Sequence, residues 1–207
     1  MSRILLPGAA ALCLCSLSGT ALAEVTAKGE LGASFASGNS ETESANAALE
    51  LGLTSGKWAH TLGLAGNYGS DNDITTAQRW EVRGQSGYDL TDRTYWFGAG
   101  RYEDDRFSAY DFQATASTGL GYRFIDSERT KLWVQGGPGY RFAEFNQTGE
   151  SEDSAIFRGD LGFDHQLTET TKIVERFLVE TGSDNTYLQN DLGLEVTIKG
   201  SLALRLG

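Results

Sequence analysis

The chain has 207 residues, with 28 acidic against 17 basic side chains and a formal net charge of −11. That balance, with Lys and Arg scattered, argues against nucleic acid as a partner. Abundant Gly, only 2 Pro and 11% aromatic residues argue against a disordered chain, which would be aromatic-poor.

Residues 1–23 have the pattern of an export signal. Arg3 supplies the positive start, residues 4–17 are mostly apolar, and Ala21-Leu22-Ala23 gives a small-x-small cleavage site before Glu24. Cys13 and Cys15 lie inside this segment, and Leu12 and Leu14 precede them where a lipoprotein signal would need a small residue. Residues 24–207 therefore hold no cysteine, so disulfides, thiol catalysis and thiolate metal sites are excluded there. Arg3 is the one charge lost with the signal, so the net charge becomes −11 − 1 = −12. The remainder suits one domain and has no apolar run near 18 residues, hence no spanning helix.

From Glu24 onward the apolar residues alternate with period two. Val25, Ala27, Leu31, Ala33 and Phe35 share one face, and Thr26, Lys28, Glu30 and Ser34 the other. Ala45, Ala47, Leu49, Leu51 and Leu53 repeat the pattern. In the next segments Trp58, His60, Leu62, Leu64 and Tyr68 form one face, then Trp80, Val82, Ser86 and Tyr88, then Trp96 and Tyr102. Phe112, Ala114, Ala116, Leu120, Tyr122 and Phe124 face away from Asp111, Gln113, Thr115, Ser117 and Arg123. These are strands, with no rival helical period.

Short turn signals fall at 55–57, 90–94, 126–130, 167–171 and 199–200, three of them self-similar ("LTDRT", "DSERT", "LTETT"). Longer, more acidic loops are expected at 38–44, 69–75, 104–110, 146–154 and 182–186. The two sets interleave, which predicts about 11 strands of about 10 to 14 residues in an antiparallel up-and-down meander. Short turns at one end and longer loops at the other are the asymmetry of outer-membrane barrels.

Which face meets what decides between architectures. The apolar faces carry aromatics at both ends, as in Trp58 to Tyr68, Trp80 to Tyr88 and Trp96 to Tyr102, with Tyr140 and Phe142 joining the same bands. Two aromatic bands flanking small and aliphatic residues match the girdles of a lipid-facing surface. The opposite faces, such as Arg79, Glu81, Arg83 and Gln85 or Arg158, Asp160, Asp164 and Gln166, are too charged for a dry core. The reading is an all-β transmembrane β-barrel; a soluble periplasmic β-sandwich or barrel is its competitor.

The stretches "GNYGSDND" (66–73), "YDLTDRTYWFGAGRYEDDRFSAYD" (88–111), "GLGYRF" (119–124), "GGPGYRF" (136–142) and "SLALRL" (201–206) resemble the salt-induced outer membrane protein family of Gram-negative bacteria, domain-of-unknown-function family 481. The resemblance spans nearly all of 24–207. It implies an outer-membrane β-barrel of about 12 strands, a link to salt stress through the family name, and no established activity. Family members continue past "SLALRL", so about 11 strands are expected here with the C-terminal strand missing. The resemblance further implies an outer-membrane location, with outer-membrane lipid, lipopolysaccharide and the outer-membrane assembly machinery as partners.

Candidate chemistry is sparse. Asp71-Asn72-Asp73 opens like a calcium loop, but Thr76 and Val82 stand where Gly and Glu are needed, so a hydrated acidic loop is expected. The acids of 149–153 invite only weak cation bridging to lipopolysaccharide. No cofactor and no metal site is expected. His60 and His165 share parity with lipid-facing residues near the short-turn end, roughly 20–25 Å from the acids at 103–105, so no hydrolase site assembles. Strand 95–105 folds back on strand 77–90, which brings Arg101, Glu103 and Asp105 opposite Arg79, Glu81 and Arg83 in the lumen. Opposite charges facing one another across that pair would make an interior salt-bridge wall or, alternatively, a constriction that selects ions or small solutes.

Overall fold

The computed structural model describes residues 23–36, 42–72, 74–183, 185–199 and 202–206. Except for Ala23, the expected export signal lies outside these residues, as do Asp73 of the calcium-like loop and the connections at 37–41 and 200–201. The strands in chain order are β1 (Glu24–Ala36), β2 (Thr42–Ser55), β3 (Trp58–Asp71), β4 (Ile74–Asp89), β5 (Thr94–Asp105) and β6 (Tyr110–Asp126). They continue with β7 (Thr130–Phe145), β8 (Ser151–Gln166), β9 (Thr171–Gly182), β10 (Thr186–Lys199) and β11 (Leu202–Leu206). All belong to one antiparallel sheet whose spatial order is the chain order.

The repeated short turns have a common cause. In the turn at 90–93 the Thr91 hydroxyl accepts the Thr94 amide at 2.9 Å. Thr168 does the same for the Thr171 amide at 3.1 Å, and Ser127 for the Thr130 amide at 3.0 Å. A hydroxyl at the first corner satisfies the amide that re-enters the sheet, which is why "LTDRT", "DSERT" and "LTETT" look alike. The Gly56-Lys57 hairpin uses another device. Gly56 has φ +58°, which glycine adopts without strain, and it lets Ser55 pair directly with Trp58.

The expected long loops are a correction. Connections at both ends of the sheet hold two to five residues, so the asymmetry in loop length is not there. Asp104, expected in the loop, lies with Asp105 in β5, and Tyr110 already begins β6. The ladder bonds backbone to backbone and continues through polar residues; past the strand ends Arg106 N–H still donates to the Gln78 carbonyl at 3.1 Å. The strands are accordingly longer than expected, reaching 17 residues in β6, with only 5 in β11.

The sheet curls until its two ends meet through side chains. Lys28 on β1 reaches Glu195 on β10 at 2.6 Å, and Arg205 on β11 reaches Glu30 on β1 at 3.1 Å. Among the described residues β1 and β11 share no backbone ladder, so this seam is closed by ion pairs alone.

The curl puts alternate residues in a lumen. Arg141, Gln135 and Glu180 are fully buried, together with Phe97, whereas Leu31, Leu62, Leu64, Leu120, Phe157, Leu188 and Leu192 lie exposed on the outside. Polar inside and apolar outside is the reverse of a soluble core.

Candidate functional site

Strands β4, β5, β8, β9 and β10 project a charged cluster into the lumen. Register pairs Arg79 with Asp105, Glu81 with Glu103 and Arg83 with Arg101. The expectation of opposite charges on facing positions is therefore corrected, since two of the three directly facing pairs carry like charge. The attraction runs along each strand and diagonally between the two instead. Arg79 contacts Glu81 at 2.9 Å and Glu103 at 2.8 Å, and Arg101 contacts Glu103 at 2.5 Å. Arg83 leans away to Glu50 on β2 at 3.1 Å. Its side chain lies so close over Gly63 that a Cβ there would sit 2.7 Å from Nε. Asp105 turns to its loop and accepts the Phe107 amide at 2.9 Å.

The residue that joins this cluster across the lumen is Glu180 on β9, with no solvent exposure. Arg101 Nη2 donates to Glu180 Oε2 at 2.7 Å, Thr115 Oγ1 to Oε1 at 3.2 Å, and Arg158 Nη1 to Oε1 at 3.3 Å. Arg101 also lies over the Tyr187 ring at 4.1 Å, while the Tyr187 hydroxyl accepts from Arg79 at 3.1 Å. Arg101 thus forms a crossbar from β5 to β9 and β10.

Below the crossbar, toward the turns at 90–93 and 127–129, the polar chain continues. Arg158 grips Asp160 with two bonds of 2.8 Å. Gln135 donates to Asp160 at 3.0 Å and exchanges amide bonds with Gln85 at 2.9 and 3.2 Å. Tyr95 donates to Gln135 at 3.1 Å, and Arg123 stacks over Tyr95 at 4.8 Å. The Tyr95 ring lies over Gly121, where any Cβ would collide with it. A cavity of about 280 Å3 remains, lined among others by Glu50, Thr61, Glu81, Gln85, Trp133 and Arg158.

Arg79, Arg83, Arg101 and Arg158 meet Glu50, Glu81, Glu103, Asp160 and Glu180 in this region, and Arg176 and Asp191 line the same cavity. The cations are tied to carboxylates or, for Arg141, to the Glu180 and Asn185 carbonyls. Such an arrangement braces β4 and β5 against β8, β9 and β10.

The expected aromatic girdles lie on the outer face. Trp58 packs on Tyr88 at 4.9 Å and on Trp96 at 6.5 Å near the short-turn end. Trp80 packs on Tyr102 at 5.1 Å, Tyr102 on Phe112 at 5.7 Å, and Tyr140 on Phe142 at 4.8 Å toward the opposite end. Tyr68 is exposed on the same side.

His60 and His165 also face outward. His60 Nδ1 is 2.9 Å from Ser86 Oγ, with its ring stacked on Trp58, and His165 Nδ1 is 2.8 Å from Thr130 Oγ1, stacked on Phe163. The Ser86–His60 pair has the contact of a nucleophile and base. Both residues, however, sit opposite each other inside a paired ladder, whose amides are committed to strand bonds and cannot form an oxyanion hole.

An up-and-down antiparallel sheet curled around an ion-paired lumen, apolar and girdled by aromatics outside, is an outer-membrane β-barrel-like fold. The chain belongs to the family described as "Protein of unknown function, DUF481", which matches residues 29–207. A relative is the uncharacterized protein YdiY of Escherichia coli (strain K12), 25% identical over 183 residues, covering 86% of this chain and 71% of that protein. Among solved structures, the translocator domain of autotransporter NalP from Neisseria meningitidis is 16% identical with a TM-score of 0.41, over 88% of this chain and 79% of that one.

Proposed function

We propose that the chain is an exported, membrane-spanning β-barrel of the Gram-negative outer membrane, not an enzyme. In this reading it serves the stress-related envelope role that the family resemblance implies, and its lumen is a narrow ion path beside the Arg101 crossbar. The observation that carries it is the inverted polarity: Arg141, Gln135 and Glu180 are fully buried while the leucines of β3, β6 and β10 are exposed. A chain folded in water would lose the apolar burial that stabilises it, whereas hydrocarbon accepts that surface without penalty. Lipid and lipopolysaccharide then contact the outer face, and the assembly machinery is the partner that inserts it.

Single-channel recording in planar bilayers tests the path. Arg83→Glu changes the charge of the lumen cluster by −2. Arg83 is half exposed in the lumen, which spares the crossbar. The expected result is a small conductance in the wild type and a reversal potential displaced toward cations in the variant. Silence of both proteins at every salt concentration would leave a purely structural barrel.

A further inference from the structure

We propose that the outer face of β9 and β10, centred on Glu175 and Asn190, pairs in the membrane with the same face of a second copy of this chain. This rests on the membrane-spanning reading above. Outward positions of these strands are otherwise apolar in the middle of the band: Ile173, Phe177 and Val179 on β9, and Leu188, Leu192 and Leu194 on β10. Glu175 interrupts them. Its partners in register are Phe163 on β8 and Leu192 on β10, both outward. It lies four residues beyond Thr171, about 10 Å up a tilted strand and one outward step above the interfacial His165, which pairs with Ile173. That depth is within the hydrocarbon, where a carboxylate without partners is unfavourable and marks a functional surface.

Asn190 Nδ2 donates to Glu175 Oε1 at 2.5 Å. This bond uses one of two amide hydrogens and one of two carboxylate oxygens. Glu175 Oε2, the second amide hydrogen and the amide oxygen are left to an outside partner. Acyl chains offer neither donors nor acceptors. A second copy offers both, because an adjacent donor–acceptor pair is self-complementary under a two-fold axis. Each Asn190 would donate to the opposite Glu175, with the amides separating the two carboxylates. Exposed Phe177, Leu188 and Leu192 around the pair provide the apolar surround.

Leu192→Cys places a thiol beside the pair and leaves Glu175 and Asn190 intact. Within 24–207 it is the sole cysteine. Oxidation of membranes from cells expressing this full chain should give a disulfide-linked dimer, and Leu64→Cys, on the outer face of β3, should give none. The double variant Glu175→Leu/Asn190→Leu should run as a monomer in detergent while keeping the heat-dependent gel mobility of a folded barrel. Equal crosslinking at 64 and 192, or a dimer that survives the double substitution, would overturn the proposal. A membrane-embedded monomer would overturn it alone; recovery of the protein in the soluble periplasmic fraction would overturn it together with the membrane reading.

Discussion

Replacing Arg101 by Met removes the crossbar charge while keeping most of its length. Arg101 and Glu180 have side-chain exposures of 3% and 0%, so solvent screening does not weaken the pair. Breaking a buried ion pair from one side costs about 3–5 kcal/mol, largely because the remaining charge is stranded. Glu180 would retain Arg158 at 3.3 Å and Thr115 at 3.2 Å, which favours the lower end of that range. The lost contact with the Tyr187 face adds up to about 2 kcal/mol in a desolvated site. We therefore expect Arg101→Met to destabilise the barrel by about 3–4 kcal/mol. Adding Glu180→Gln should recover about half, because an amide no longer leaves a buried charge. The assay is reversible urea unfolding from phospholipid vesicles followed by tryptophan emission, with none of the 4 Trp altered. A cost below about 1 kcal/mol, or single effects that simply add in the double variant, would refute the crossbar as a structural element.

Leu64→Arg should separate a lipid-facing from a water-facing outer surface. Leu64 is 43% exposed, and an arginine there should cost about 2–4 kcal/mol in vesicles, against less than about 0.5 kcal/mol on a wetted surface. Gly121→Ala should cost about 1–3 kcal/mol through collision with the Tyr95 ring, as read by the same unfolding assay, and Tyr95→Leu should relieve most of it. A Gly121→Ala variant as stable as the wild type would show that the ring does not lie where it is placed.

The sheet is legible in the sequence because a strand's pattern is local. A side chain's face depends only on parity, so spacing alone assigns Trp80, Tyr88, Trp96 and Tyr102 outward and Arg79, Arg101 and Glu103 inward. Three of the short turns are legible because one hydroxyl, at Thr91, Ser127 or Thr168, closes each of them. What local pattern does not supply is shear. A shift of one inward position decides whether Glu81 faces Arg101 or Glu103, and the turn motif leaves that shift open, so in place of the expected facing pairs the opposite charges meet along each strand and on one diagonal. Contacts across the lumen are further from reach. Arg101 and Glu180 are 79 residues apart and meet only because the sheet's curl and tilt bring β5 against β9. Glu175 is a different case. Parity along Ile173, Glu175 and Phe177 is enough to mark it as outward. Its meaning needs Asn190, which sits beside it only through the β9–β10 register. Inward carboxylates such as Glu180 are met by arginines the chain itself supplies, whereas outward Glu175 meets only the amide of Asn190, which leaves part of its bonding capacity to a partner outside the barrel.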